Sequence, residues 1–249
     1  MLYANCILQS LRIKTSEKPV KIIFGQFLLV LSASFLLAQI MASSGIWERY
    51  TEVYHTAFEF TCIFVAITSF LVVWHIYDRV SPVDNLVGLG FIIVAVFDLF
   101  HVYSFPELNL YPSSRLDLNT YYWILGRLSE ALILLATTMR IFQVKLNKWG
   151  GLFISLSFAF GTSYIILISP KLLPALLTQS GGVTTTKIIL EYVVIALFLL
   201  SLYKLKNNVN RKDILTYRYI FIALLIAIPG EMCFTVFKTI DSFYMAWGH

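Results

Sequence analysis

The stretch FIIVAVFDLFHVYSF (91–105), followed across a polar loop by YYWILGRLSEALILL (121–135), decides the fold class. Both halves are apolar runs, yet Asp98, His101, Arg127 and Glu130 lie inside them or at their rims. Residues three apart share a helical face, so Asp98 with His101 and Arg127 with Glu130 form two charged pairs, one near the end of a helix and one near the start of the next. Two such pairs meeting across one connection, within sequence otherwise fit for hydrocarbon, point to helices whose polar faces are turned toward one another.

Composition agrees. Hydrophobic residues make up 58% of the 249 residues and charged residues 13%, against roughly 25% charged in soluble domains. An all-α polytopic membrane bundle follows, with the lipid bilayer as its first partner. The net charge of +5 would suggest nucleic acid in a soluble protein, but here the lysines and arginines sit mostly between apolar runs, where they set topology; no nucleic-acid partner is expected. Cys6, Cys62 and Cys233 are far apart and show neither a disulfide framework nor a zinc spacing. No nucleophile–base order, phosphate loop, HExxH or Rossmann glycine pattern occurs, so catalysis is not expected within this segment.

Seven apolar runs, at 22–42, 55–77, 83–103, 120–142, 151–169, 187–203 and 214–237, predict seven helices. The first is too long for a signal-peptide core, so 1–21 reads as a cytoplasmic N-terminal segment and 22–249 as the integral membrane domain. Pro82, Pro106, Pro112, Pro170 and Pro174 fall in or beside connections, whereas Pro229 and Gly230 lie within the last run and predict a kink. Of the 19 lysines and arginines, 13 fall in the N-terminal segment and the alternate connections around Arg79, Lys145 and Lys212, and 5 in the others. That asymmetry places the N-terminus in the cytoplasm and His249 outside. Trp74, Tyr77, Tyr121, Tyr122, Trp123, Trp149 and Trp247 lie near run ends and read as headgroup-level anchors.

With this topology the ionisable residues gather toward the outer leaflet. His55 and Glu59 open the second helix, Asp98 and His101 close the third, Arg127 and Glu130 open the fourth, Lys187 and Glu191 open the sixth, and Glu231 lies toward the outer end of the seventh. Five carboxylates then face two cations, and a proton, a histidinium or a bound cation must offset the excess. His55, Glu59, Asp98 and His101, two nitrogens and two carboxylates from neighbouring helices, suit a divalent metal ion. Rival readings are a purely structural salt-bridge network and a small ion or solute transporter. The transporter reading calls for a polar path across the full membrane, and the inner halves of the second, third, fourth and sixth helices are nearly all apolar.

The motifs YHTAFEF (54–60), FDLFHVYSF (97–105), WILGRLSEALILL (123–135), GGVTTTKIILEY (181–192) and PGEMCFTVFKTIDSFYMAWGH (229–249) resemble the membrane-associated sensor domain of the third type, a bacterial input module found ahead of histidine kinase, diguanylate cyclase or phosphodiesterase domains. The resemblance runs from Trp47 to the last residue. It implies a sensory cluster of His55, Glu59, Asp98, His101, Arg127 and Glu130, joined by Lys187, Glu191, Glu231 and His249 from the later motifs. It also implies a cell (inner) membrane location, an eighth helix leading to a cytoplasmic output domain that would hold any kinase or cyclase activity, and homodimers when such an output is attached. Two departures stand out: the 111–119 connection is not glycine-rich, and the chain stops where the pattern begins its last helix.

Overall fold

The computed structural model describes residues 18–105, 117–141, 144–169, 173–178, 182–208, 214–236 and 243–248. Among these the regular elements are helices: α1 (Lys18–Ser43), α2 (Ile46–His75), α3 (Pro82–Tyr103), α4 (Leu118–Thr138), α5 (Lys148–Ile168), α6 (Thr185–Asn208), α7 (Ile214–Val236) and a short α8 (Phe243–Gly248). Each of the seven predicted runs falls mainly in one of α1 to α7, with the runs at 55–77, 120–142 and 151–169 reaching past the ends of their helices.

Four of them, α2, α3, α5 and α6, are long and apolar enough to cross a membrane, and α1 and α7 add the shorter apolar stretches Phe27–Ser43 and Ile220–Val236. α4 is as long but carries Arg127 and Glu130, and its neighbours cover it: Tyr122, Ile124 and Ala131 are all buried. Around this interior the usual soluble pattern is inverted. Phe153, Trp149 and Phe64 are 70% or more exposed, while Thr51, Asn85, Ser163 and Ser201 are buried with most of the ionisable cluster. So much continuous exposed apolar surface is stable only against lipid. The buried hydroxyls are satisfied within their own helices; Thr137 donates to the Ile133 carbonyl and Ser163 to the Ala159 carbonyl.

Local sequence explains the helix limits. Gly45, at φ 68°, turns the chain between α1 and α2 in the left-handed region that glycine tolerates. α2 begins at Ile46 rather than near His55, and it bends at Tyr50 (φ −130°), where the Thr51 hydroxyl donates to the Trp47 carbonyl at 2.6 Å. Trp47 is fully buried and stacks with Tyr54 and Phe58, which fixes the bend. The Ser81-Pro82-Val83-Asp84 sequence starts α3 with a reciprocal capping box and a proline in the first turn. Gly88 and Gly90 let α3 approach its neighbours closely: a Cβ on either would stand 2.5 Å and 2.4 Å from Val73 of α2 and Ile133 of α4.

One expectation changes. Tyr121, Tyr122 and Trp123 are not interfacial anchors but core: the Tyr121 hydroxyl donates to the Pro174 carbonyl, the Tyr122 hydroxyl to the Ser163 carbonyl, and Trp123 packs edge-on against Phe234. The reason is that α4 sits inside the bundle, where an aromatic near a helix end meets protein instead of headgroups. Pro229 lies within α7, and the helix runs through it to Val236.

The bundle has two unlike ends. At one, the α2–α3 and α4–α5 connections meet: the Tyr77 hydroxyl donates to the Leu146 carbonyl, Asn85 donates to the Tyr77 carbonyl, and Lys148 lies over the Trp74 ring. At the other, an antiparallel bridge between Leu177 and Val183 folds the α5–α6 connection back on itself, and Leu176 plugs into the core.

Candidate functional site

The ionisable residues lie at that second end. Thr184 caps the first turn of α6, accepting from the Lys187 backbone, so the segment that buries Leu176 also sets the position of Lys187. Lys187 and Glu191, four apart on one face, form an ion pair with side chains 3% and 0% exposed. The same ammonium donates to the Phe234 carbonyl of α7 at 3.1 Å and lies 5.4 Å above the Trp123 ring of α4. One cation therefore ties three helices.

Arg127 forms a second centre. It reaches Glu130 at 2.9 Å on its own helix and Asp98 of α3 at 3.5 Å. α4 starts at Leu118, so Arg127 lies about 14 Å along the helix rather than at its opening. Gly126 makes the Asp98 contact possible, because a Cβ there would stand 2.7 Å from the Asp98 Oδ1. Both Arg127 and Glu130 keep about a fifth of their side chains exposed, at 22% and 23%, while Asp98 is buried.

The third centre joins α2 to α3. Glu59 Oε1 stands 3.8 Å from His55 Nε2 and 3.8 Å from His101 Nε2, and all three residues are buried. His101 Nδ1 lies 2.8 Å from the Asn119 carbonyl of α4. A carbonyl only accepts, so Nδ1 bears the hydrogen and Nε2 is the nitrogen turned toward Glu59. Phe105 covers the two imidazoles, its ring 4.7 Å from His55 and 5.5 Å from His101.

Glu231 of α7 is buried, within the field of Arg127, Glu130, Glu191 and Lys187. Its Oε2 has no hydrogen-bond partner among the described residues.

Nine of the ten residues singled out from sequence thus share one end of the bundle; His249 lies outside the described residues. The four-residue ligand set is divided differently from expectation. His55, Glu59 and His101 converge, but the Asp98 carboxylate turns to α4 and pairs with Arg127, because Gly126 leaves room there for it. Sequence reading also missed Phe105, Asn119, Trp123 and Gly126. Only Gly126, a glycine inside an apolar helix and next to a charge, offered a signal.

A bundle of apolar helices with its charges enclosed at one end is a polytopic helical membrane domain built around a polar centre. The chain belongs to the Membrane-associated sensor domain family (MASE3), whose model matches residues 47–249, covering α2 to α8 and the whole cluster. No curated protein and no solved structure matches it.

Proposed function

We propose that this membrane sensor domain is the input module of a bacterial signal-transduction protein of the histidine kinase or cyclic-di-GMP enzyme type. In this reading it lies in the inner membrane with its N-terminus in the cytoplasm and the cluster toward the outer leaflet. The observation that supports it is the linkage of five helices by nine ionisable side chains at one end, most of them buried. A stimulus shifts two conformations only by its differential affinity for them. In a network so enclosed, a change of charge at one centre alters the balance at the next and favours a different packing of the helices that carry them. The placement of Arg79, Lys145 and Lys148 at the opposite end supports the orientation. Output chemistry belongs, in this reading, to a joined domain that acts as a homodimer, and not to this segment.

Reporter fusions after Arg79, Lys145 and Asn208 should report cytoplasm, and fusions after Asn109 and Gln179 the outside; the reverse pattern overturns the orientation. Joined through one added membrane-crossing helix, which returns the chain to the cytoplasm, to a diguanylate cyclase domain, the chain should give a changed cyclic-di-GMP output with Arg127→Gln and with Glu231→Gln, and an unchanged one with Lys145→Ala. Wild-type output from both cluster variants would sink the sensory reading.

A further inference from the structure

We propose that His55 Nε2, Glu59 Oε1 and His101 Nε2 form a three-ligand site for a divalent transition-metal ion, joining α2 to α3 and leaving Asp98 out. The first argument is distance. Both imidazole nitrogens stand 3.8 Å from one carboxylate oxygen, beyond hydrogen-bond range, and all three ligand atoms lie within 4.8 Å of one another. Two ligands on one zinc-sized ion, each at about 2.1 Å and at the tetrahedral angle, stand ~3.4 Å apart, so even the widest pair closes onto an ion with a movement of ~1.4 Å or less, shared between the two side chains. Rotations of side chains on two packed helices supply that without moving the backbone.

The second argument is orientation. A metal-binding histidine ordinarily donates its other ring nitrogen to a carbonyl or carboxylate, which fixes the tautomer and makes the ligating nitrogen more basic. His101 has this arrangement, with Nδ1 held by the Asn119 carbonyl at 2.8 Å and Nε2 turned to the centre. The third is the surrounding shell. Phe105 covers both rings, and the Arg127 guanidinium is engaged by Asp98 and Glu130.

Two nitrogens and one carboxylate oxygen favour borderline ions such as zinc, iron(II) or manganese over copper(I), which prefers thiolate and thioether. Cys62, one turn beyond Glu59, is exposed on the outer face of α2 and does not join the set. Three protein ligands leave at least one position for water or an exogenous ligand, the coordination pattern of reactive or responsive metal sites and not of closed structural ones.

The site stands on geometry and does not need the sensory reading, so it is tested on the purified chain with no output domain attached. Cobalt(II), added to the chelator-treated protein in nanodiscs, should bind with one ion per chain and give the visible ligand-field bands of a low-symmetry nitrogen–oxygen site. Zinc should displace it. Glu59→Gln and His101→Ala should each weaken cobalt binding by ~10-fold or more, while Asp98→Asn keeps the stoichiometry. A wild type that takes up neither cobalt nor zinc overturns the proposal. So does a folded, monodisperse His101→Ala that binds cobalt as the wild type does, and so does an Asp98→Asn that is folded but metal-free, since that outcome would restore Asp98 as a ligand.

Discussion

At one end of the bundle Lys145 meets Asp78 at 3.6 Å with the carboxylate side chain 88% exposed; at the other Lys187 meets Glu191 with side chains 3% and 0% exposed. Both are lysine–carboxylate pairs, and they do different work. Near the first, the half-buried Lys148 holds its ammonium over the Trp74 ring at 4.3 Å. Near the second, the ammonium is surrounded by Glu191, the Phe234 carbonyl and Trp123, each from a different helix. Where solvent can replace a lost partner, a pair is worth little; where it cannot, the remaining charge bears its full desolvation penalty. One end can therefore mark a membrane boundary with interchangeable cations, whereas the other makes the packing of helices depend on which charges are present.

The sharpest way to break this comparison is Lys187→Met. It leaves Glu191 enclosed without its cation and should cost about 3 to 5 kcal/mol, read as a lower melting temperature in nanodiscs. Adding Glu191→Gln should recover most of the loss, because the buried charge is then gone. If Lys187→Met melts with the wild type, the two ends are equivalent and the contrast fails. Arg127→Gln comes next. Its side chain is 22% exposed, so solvent or headgroups screen part of the loss, and about 2 to 3 kcal/mol is expected. Asp98→Asn in the same chain should restore stability more than Glu130→Gln does, since Asp98 is the buried member, with a side chain 2% exposed against 23% for Glu130.

How far these contacts can be read from sequence differs between fold and site. The helices are legible because a membrane span must be a long apolar run, and little else makes one. Charged pairs are legible as pairs because spacing of three or four places them on one face. The partition of the cluster is not. Asp98 and His101 share a face of α3, yet Asp98 pairs with α4 while His101 lies between Glu59 of α2 and the Asn119 carbonyl of α4, and the spacing within α3 carries no information about where those neighbours stand. Tyr121, Tyr122 and Trp123 show the same limit: an aromatic near a helix end has the same sequence signature at a lipid interface and in a protein interior, and only the placement of α4 among its neighbours decides between them.

Gly126→Ala tests the detail that divides the site. An added Cβ would meet Asp98 Oδ1 at 2.7 Å, and the helices must part or the carboxylate must turn away from Arg127. Overpacking of this kind costs about 1 to 3 kcal/mol, and Asp98→Ala in the same chain should relieve most of it. Were the alanine variant as stable as the wild type and the double variant less so, the close approach of Asp98 to α4 would be wrong.

The smallest effect is expected at the other end, where Lys145→Ala should change stability by less than about 1 kcal/mol. The Asp78 carboxylate it leaves behind stays in contact with solvent, so no buried charge results. The informative measurement is a double-mutant cycle of Lys145→Ala with Asp78→Ala, set beside the cycle of Lys187→Met with Glu191→Gln. Coupling at the exposed pair should fall as salt is raised, since its charges are screened through water. At the enclosed pair it should hardly respond, because ions do not reach between the helices. A strong, salt-independent coupling between Lys145 and Asp78 would mean that this end is closed as well, and cations there would then fasten helices together instead of marking an edge.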